Sequence, residues 1–364
     1  MGIYLVLFLL IFLVCQSFKP TKGVIFLLAL ILFIISAGRG ESVGIDTVNY
    51  YQNGFSSVYS GENHQYEIVF VGLCDLIRLY GLNPRCCLYL LSAVTIFFVC
   101  AASRRFKANT ILVLFFFLLF NYFTHSLNVA RQMAACSILL YAYSFLFYNE
   151  NGGDTIEAHF GLKNLLLFVL FVLLAASFHV GAILGLLALF SFLMPVNKKE
   201  VEPIFVATIL VLCFAIVQIV REVILSRTMG YLSAIAIYDG IGSATTGTTL
   251  SRFGFVYRSL AYVFYGVALA YLKRDSNDKL FNFFLLSLVL RIILSAFYGS
   301  ILRLNFYFAL IDIIVFSLCV ANEDEKRRTF FYLTVLYFGI DYFLVLWGNT
   351  YETVPYVFNM IELF

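Results

Sequence analysis

The chain has 364 residues, of which 62% are hydrophobic, 18% aromatic and only 12% charged, with a formal net charge of +3. A soluble globular domain is nearer half apolar and a quarter charged, so this composition excludes one and predicts a polytopic, all-α membrane protein. So small a net charge means little as a sum; its distribution along the chain carries the information.

Apolar runs of near-span length cover 2–18, 23–38, 88–102, 109–124, 133–148 and 164–178. Others cover 180–195, 203–225, 255–272, 279–297, 304–320 and 329–347, which makes about twelve spans. Several are shorter than the roughly 20 residues a bilayer core asks for, so they borrow flanking residues or meet a thinned membrane. The first run has no basic leader and no small-residue cleavage site, so it reads as a retained span. Five prolines and no long polar tract predict a single transmembrane domain over 1–364.

The lysines assign the sides. Lys19, Lys22, Lys107, Lys163, Lys198, Lys199, Lys273, Lys279 and Lys326 all fall in polar breaks that alternate with lysine-free ones. Cytoplasmic loops carry the excess of positive charge, so those breaks read as cytoplasmic. Both termini and the loops near 39–87, 125–131, 177–181, 226–252 and 298–303 then lie outside. The run from 164 to 192 has lysines at both flanks, Lys163 and Lys198, so it must turn outside, at Ser177-Phe178-His179-Val180-Gly181. Residues 66–80 are apolar enough to span, yet Glu67, Val71, Cys74 or Asp75, and Arg78 share one helical face. Counting this segment as a span would invert everything after it, so it reads as a re-entrant or interfacial helix near residues 66–80 on the outer side.

Metal and nucleotide chemistry find no motif. Cys15, Cys74, Cys86, Cys87, Cys100, Cys136, Cys213 and Cys319 sit mostly inside apolar runs and read as small buried residues. His64, His125, His159 and His179 have no metal-ligand spacing, so neither a metal nor another cofactor is expected. There is no Walker glycine loop and no G-x-G-x-x-G after a strand; any chemistry takes its energy from a lipid-linked substrate or an ion gradient.

Arginines stand out on the far side. Arg39, Arg131, Arg227, Arg252 and Arg303 lie outside or at the boundary, against the usual bias, and binding an anionic group is the economical explanation. Arg39 opens a loop in which Glu41, Gly44, Asp46, Thr47, Tyr50 and Tyr51 crowd together, which as an ordinary exposed loop would need its glycines only for turns. Asn128, Arg131 and Gln132 lie on neighbouring turns at the start of a span, where their heads can converge on one anion, although an arginine there can also simply snorkel to headgroups. His179 stands alone at its outer turn, as a base or as a hydrogen-bonded structural residue. Arg252, Tyr257 and Arg258, with Tyr298 and Arg303, offer two further basic sites on separate spans. Arg291 and Asp312, at similar depth on neighbouring spans, read as mutual neutralisation within the bundle.

Taken in order, Gly38-Arg39, Val43-Gly44-Ile45-Asp46-Thr47, Tyr50 and Glu67 resemble the first outer loop of EpsG-like polysaccharide polymerases of the Wzy group. In that family a G-L-R segment precedes G-T-D and a tyrosine, and a later I-R-Q-x-[LI]-A starts a helix. Here the later motif reads Val129-Ala130-Arg131-Gln132-Met133-Ala134, and the family's F-H at an outer hairpin matches Phe178-His179. Ile45 stands where threonine is common and Ala130 where isoleucine is common; neither removes an essential chemical group. The likeness covers roughly residues 1–190 and is looser beyond.

The resemblance implies a bacterial cytoplasmic (inner) membrane, multi-pass glycosyltransferase joining undecaprenyl-diphosphate-linked oligosaccharide repeat units at the outer, periplasmic face. On that reading Arg131, Arg39, Arg252 and Arg303 bind diphosphate, and Asn128, Gln132 and Tyr50 contact sugar. Asp46, Glu67 or His179 accepts the hydroxyl proton. Partners would be the lipid-linked oligosaccharide, membrane lipid, and flippase and chain-length regulator proteins, with no nucleic acid. A lipid-linked oligosaccharide flippase or other transporter, a membrane O-acyltransferase and a glycan ligase are the competing readings. The chain shows none of the internal repeats common in transporters.

Overall fold

The computed structural model describes residues 1–17, 20–44, 46–48, 54, 58, 66–147, 161–194, 202–236, 252–275, 278–296, 303–321, 324–349 and 352–358. Along 221–236 and 252–255 it describes the backbone alone. Every extended element among these residues is helical, and one isolated bridge, Arg39 with Phe358, is the sole β pairing among them. In chain order the helices are α1 (Gly2–Ser17), α2 (Lys22–Ala37), α3 (Ile68–Leu79), α4 (Cys86–Arg105), α5 (Thr110–Leu119), α6 (Tyr122–Asn128), α7 (Ala130–Phe147) and α8 (Leu162–Phe178). A 3₁₀ helix, Val180–Phe192, follows, and then α9 (Pro203–Ala236), α10 (Arg252–Arg274), α11 (Asp278–Leu294), α12 (Phe306–Ala309), α13 (Asp312–Val320) and α14 (Glu325–Trp347).

Among the described residues, three helical segments are long and apolar enough to cross a membrane, namely Cys86–Arg105, Pro203–Val220 and Glu325–Trp347. The bent pair α5 and α6 makes a fourth if it is one span, and Gly2–Ser17, Lys22–Ala37, Leu162–Phe178, Val180–Phe192 and Phe306–Val320 are shorter apolar helices. Outward-facing residues repeat the message: Phe26, Phe97, Leu166 and Leu336 are all more than half exposed. Apolar exteriors of that kind belong against lipid.

The chain divides into two compact units. The first comprises Met1–Gly152, Ala158–Leu187 and Leu310–Phe364. Its centre is α7, in which only Arg131 and Tyr141 escape full burial. A helix apolar on all sides belongs in the middle of a bundle, and α4 and α8 pack on its flanks. Beside it α5 is equally enclosed, with every residue but Leu112 buried and with α1 and α13 against it. Rings of Phe8, Phe115, Phe116, Phe316 and Phe331 interlock there at centroid separations of 5.7–6.3 Å. Caps follow their side chains: Asn109 accepts from Ile111 N at 3.0 Å and Asp324 from Lys326 N at 3.2 Å.

The second unit, Gly153–Glu157 with Ala188–Ala309, is built on the pairing of α9 with α10. Gly266 permits it, because a Cβ there would lie 2.6–2.8 Å from the Ala207 backbone and side chain. Helix α9 continues to Ala236, well past the residue 225 at which its apolar run ends, so the expected outer loop 226–252 begins as helix; residues 237–251 lie outside the described residues.

Other expectations change in detail. The run 109–124 is broken: Phe120 ends α5, Asn121 takes a left-handed φ of 62°, and α6 leaves at 64°. Asparagine tolerates that conformation, and Asn121 Nδ2 is held by Asp341 Oδ2 at 3.2 Å. Consequently much of the supposed outer loop 125–131 is the buried helix α6 rather than exposed chain. Residues 180–192 wind as 3₁₀, whose rise of about 2.0 Å stretches 13 residues over about 26 Å where an α-helix would reach about 20 Å. In α3 the buried face is Phe70, Cys74 and Ile77, so Cys74 leaves the polar stripe, whereas exposed Asp75 and Arg78 pair at 3.8 Å. Asp312 accepts from Tyr122 at 3.1 Å, and Arg291 donates to the Tyr265 hydroxyl at 2.9 Å above its ring.

Candidate functional site

Arg131 occupies the first turn of α7, where backbone N–H groups without helical partners already favour an anion. Its Nη1 donates to Glu67 Oε2, in an ion pair whose side chains are 20% and 15% exposed. The rings of Tyr66 and Phe70 lie 4.9 and 5.1 Å from the guanidinium carbon, walls that fix its plane and exclude water. Glu67 is the N-terminal cap residue of α3, and its Oε1 accepts from Val180 N at 3.4 Å. One carboxylate therefore ties α3, the start of α7 and the turn at Val180 into a single site.

His179 is in that turn, half-buried and extended at φ −157°. Its Nδ1 accepts from Gly181 N at 3.3 Å. A ring nitrogen that accepts bears no proton, so a neutral His179 carries its proton on Nε2.

Two residues before Arg131 the main chain breaks at Val129, and Asn128 closes α6 beside it. Asn128 is 5% exposed, and its Oδ1 has no hydrogen-bond partner among the described residues. A buried amide oxygen left unpaired costs on the order of 1–3 kcal/mol, which a ligand hydroxyl would recover. Gln132, on the next turn, is 4% exposed.

The first loop is anchored against this turn. Arg39 is fully enclosed; its Nε donates to Thr47 Oγ1 at 3.1 Å and its Nη1 to Ser36 O at 2.5 Å. Arg85 Nη2 donates to the Arg39 carbonyl at 2.5 Å. Thr47 Oγ1 donates to Val43 O at 2.6 Å and reaches Leu127 O at 3.4 Å. The C-terminal segment straps the other side: Gly40 N donates to Val357 O at 2.6 Å, Gly44 N to Glu352 O at 2.9 Å, and Tyr356 Oη to Ile35 O at 2.5 Å. Burial pushes the Tyr356 phenol up to about 12, against the pull of the Arg39 and Arg85 charges, so it stays a neutral donor. Asp46, next to Thr47, is half-buried, and its carboxylate makes no hydrogen bond or ion pair with a described residue.

Gly44 has φ +90°, and a Cβ there would collide with the Leu127 carbonyl oxygen. Gly44→Ala is therefore expected to destabilise the loop by about 1–3 kcal/mol. Protease nicking within residues 39–66 of the membrane-extracted protein should rise by about 5- to 150-fold over wild type. Unchanged nicking would mean that the Gly44–Leu127 approach does not hold the loop.

Of the expected site residues, Glu67, Arg131 and the His179 turn are brought into one place, with Asn128 and Gln132 alongside. Arg39 is buried and directs Nε and Nη1 to Thr47 and Ser36, which shapes the loop, while its Nη2 makes no hydrogen bond with a described residue. Tyr50 lies outside the described residues, as does the Arg252 side chain at the start of α10. Arg303 is exposed in the second unit. Three contributors went unforeseen: Tyr66 and Phe70, one turn apart beside Glu67, and Arg85. A stacking role for the first two was readable in an aromatic pair flanking a carboxylate. Arg85 gave no local signal.

These motifs are the ones on which the likeness to a polymerase family rested, and a model of the EpsG family matches residues 22–358, nearly the whole chain. The chain belongs to the EpsG family. Comparison with curated proteins found no match, and comparison with solved structures found none either. The EpsG match extends past residue 190, where the motif likeness thins, and includes both Arg303 and the strap residues Glu352–Phe358. EpsG membership and the apolar helices together make the chain a membrane protein of polysaccharide-polymerase type.

Proposed function

We propose that this protein is a membrane glycosyltransferase that polymerises oligosaccharide repeat units carried on undecaprenyl diphosphate, at the outer face of the bacterial cytoplasmic membrane. The observation that carries the proposal is the convergence of Arg131, Glu67 and the His179 turn in a chain of the EpsG family. The wider architecture is a single polymerase domain of about twelve spans, built on the apolar runs read from the sequence. A helical bundle offers a polyprenyl chain lateral entry from lipid, and arginine matches phosphate oxygens with paired donors while never losing its charge.

In the reaction, a hydroxyl of the incoming unit attacks the anomeric carbon of the growing chain. A C–O bond to the acceptor forms, the C–O bond to diphosphate breaks, and undecaprenyl diphosphate leaves with the bonding pair. Arg131 and the N–H groups at the head of α7 stabilise that developing charge. Glu67 is committed to Arg131 and Val180, so its role is to position the arginine. His179, protonated on Nε2, donates to the substrate. Asp46, whose carboxylate makes no hydrogen bond or ion pair with a described residue, accepts the hydroxyl proton. Asn128 and Gln132 hold sugar hydroxyls, Tyr50 offers a stacking face, and Arg252 and Arg303 serve the acceptor's lipid diphosphate. The flippase that delivers units and the regulator that sets chain length are its natural partners.

A strain lacking the protein tests this. Its surface glycan should carry single repeat units in place of long chains. Complete absence of units outside would indicate a flippase instead, and long chains without an acyl decoration would indicate an acyltransferase.

A further inference from the structure

A second site lies at the opposite end of the first unit. The Tyr4 hydroxyl donates to Thr353 O beside the strapped outer loop, whereas Cys15 and Gln16, roughly 17 Å further along α1, line a cavity of about 430 Å³. Four helix ends enclose it: the last turn of α1, the first turn of α5 at Leu112, the end of α13 at Val320, and the start of α14 at Arg328, Phe331 and Tyr332. All four ends adjoin polar breaks that the lysines mark as cytoplasmic, and the size is that of a ligand pocket.

Its chemistry is divided. Leu112, the one incompletely buried residue of α5, forms an apolar wall with Val320 and Phe331. At the polar side the Tyr332 hydroxyl donates to Gln16 Oε1 at 3.3 Å, and the Arg328 guanidinium lies 6.0 Å from the Tyr332 ring centroid. That guanidinium makes no hydrogen bond or ion pair with a described residue, and among the described residues no carboxylate lines the cavity. Exposed Leu13, one turn before Gln16, and exposed Leu336, one turn beyond Tyr332, continue the apolar surface away from Arg328 towards the bilayer interior.

We propose that this cavity binds the phosphate head of a lipid of the cytoplasmic leaflet, with Arg328 on the phosphate, Gln16 and Tyr332 beside it, and the hydrocarbon chain along Leu13 and Leu336. A phosphodiester phospholipid and a polyprenyl monophosphate share this chemistry. The inference stands on membrane embedding alone, independently of the polymerase reading.

The full-length protein in phosphatidylcholine nanodiscs, titrated with phosphatidylglycerol or with undecaprenyl phosphate, provides the test. At least one probe should be retained, and Arg328→Gln should weaken it at least tenfold, whereas Lys22→Gln, on the same basic edge, should change it less than twofold. The retained probe identifies the source. Equal loss in both variants would reduce the effect to diffuse surface charge, and no loss in Arg328→Gln, or no preference over phosphatidylcholine, would equally overturn the site. Should Arg328→Gln not fold, wild-type protein decides: a diazirine analogue of the retained lipid must label peptides containing Gln16 or Tyr332, and labelling elsewhere alone refutes the proposal.

Discussion

Replacing Arg131 by lysine is expected to shorten the glycan nearly as severely as replacing it by alanine. The guanidinium lies against the adjoining rings of Tyr66 and Phe70 with one arm on Glu67, so its position is fixed before substrate arrives. An ammonium keeps the charge but neither the plane nor the paired donors. Losing one such contact in a site shielded from water removes about 2–4 kcal/mol of transition-state stabilisation, a rate loss of roughly 30- to 1,000-fold. Glu67→Gln, which keeps the shape and the contact to Val180 but weakens the hold on Arg131, should fall between wild type and Arg131→Ala. Gel profiles of surface glycan at matched protein abundance read all three. Full-length chains in Arg131→Ala would remove this arginine from the reaction.

Asp46→Asn is expected to abolish polymerisation, a loss of about 10²- to 10⁴-fold, because the amide cannot take the acceptor's proton. Binding of the lipid-linked donor should survive, since the lost interaction matters mainly in the transition state. His179→Gln should be milder, because a glutamine amide can still donate where Nε2–H does. The opposite ranking, with long chains in Asp46→Asn and none in His179→Gln, would exchange the two roles.

The helical class, the membrane character and the family were all legible in the sequence, because each rests on local composition or on short ordered motifs. Arg131, Glu67 and His179 could be named for the same reason, yet their meeting could not, since nothing local records that Glu67 reaches across to Val180. The break at Asn121 hid inside an apolar run whose hydropathy is blind to a left-handed residue. Arg39 shows the limit most clearly. Its place in the expected outer loop suggests an anion ligand, and nothing local foretells that Thr47, Ser36, Arg85 and the strap ending at Phe358 also enclose it. Pairing between residues more than 300 positions apart leaves no periodic trace in sequence. The 3₁₀ winding of 180–192 is equally unannounced, because its composition suits an α-helix as well.

Purified protein reconstituted in liposomes with the undecaprenyl-diphosphate-linked repeat unit, and no other protein, should convert single units into a ladder of two, three and more, releasing one undecaprenyl diphosphate per bond formed. Arg131→Ala in the same liposomes should leave single units. If wild-type protein leaves every unit single while moving it from one leaflet to the other, the protein is a transporter and the assignment of Arg131, Asp46 and His179 to bond formation is wrong.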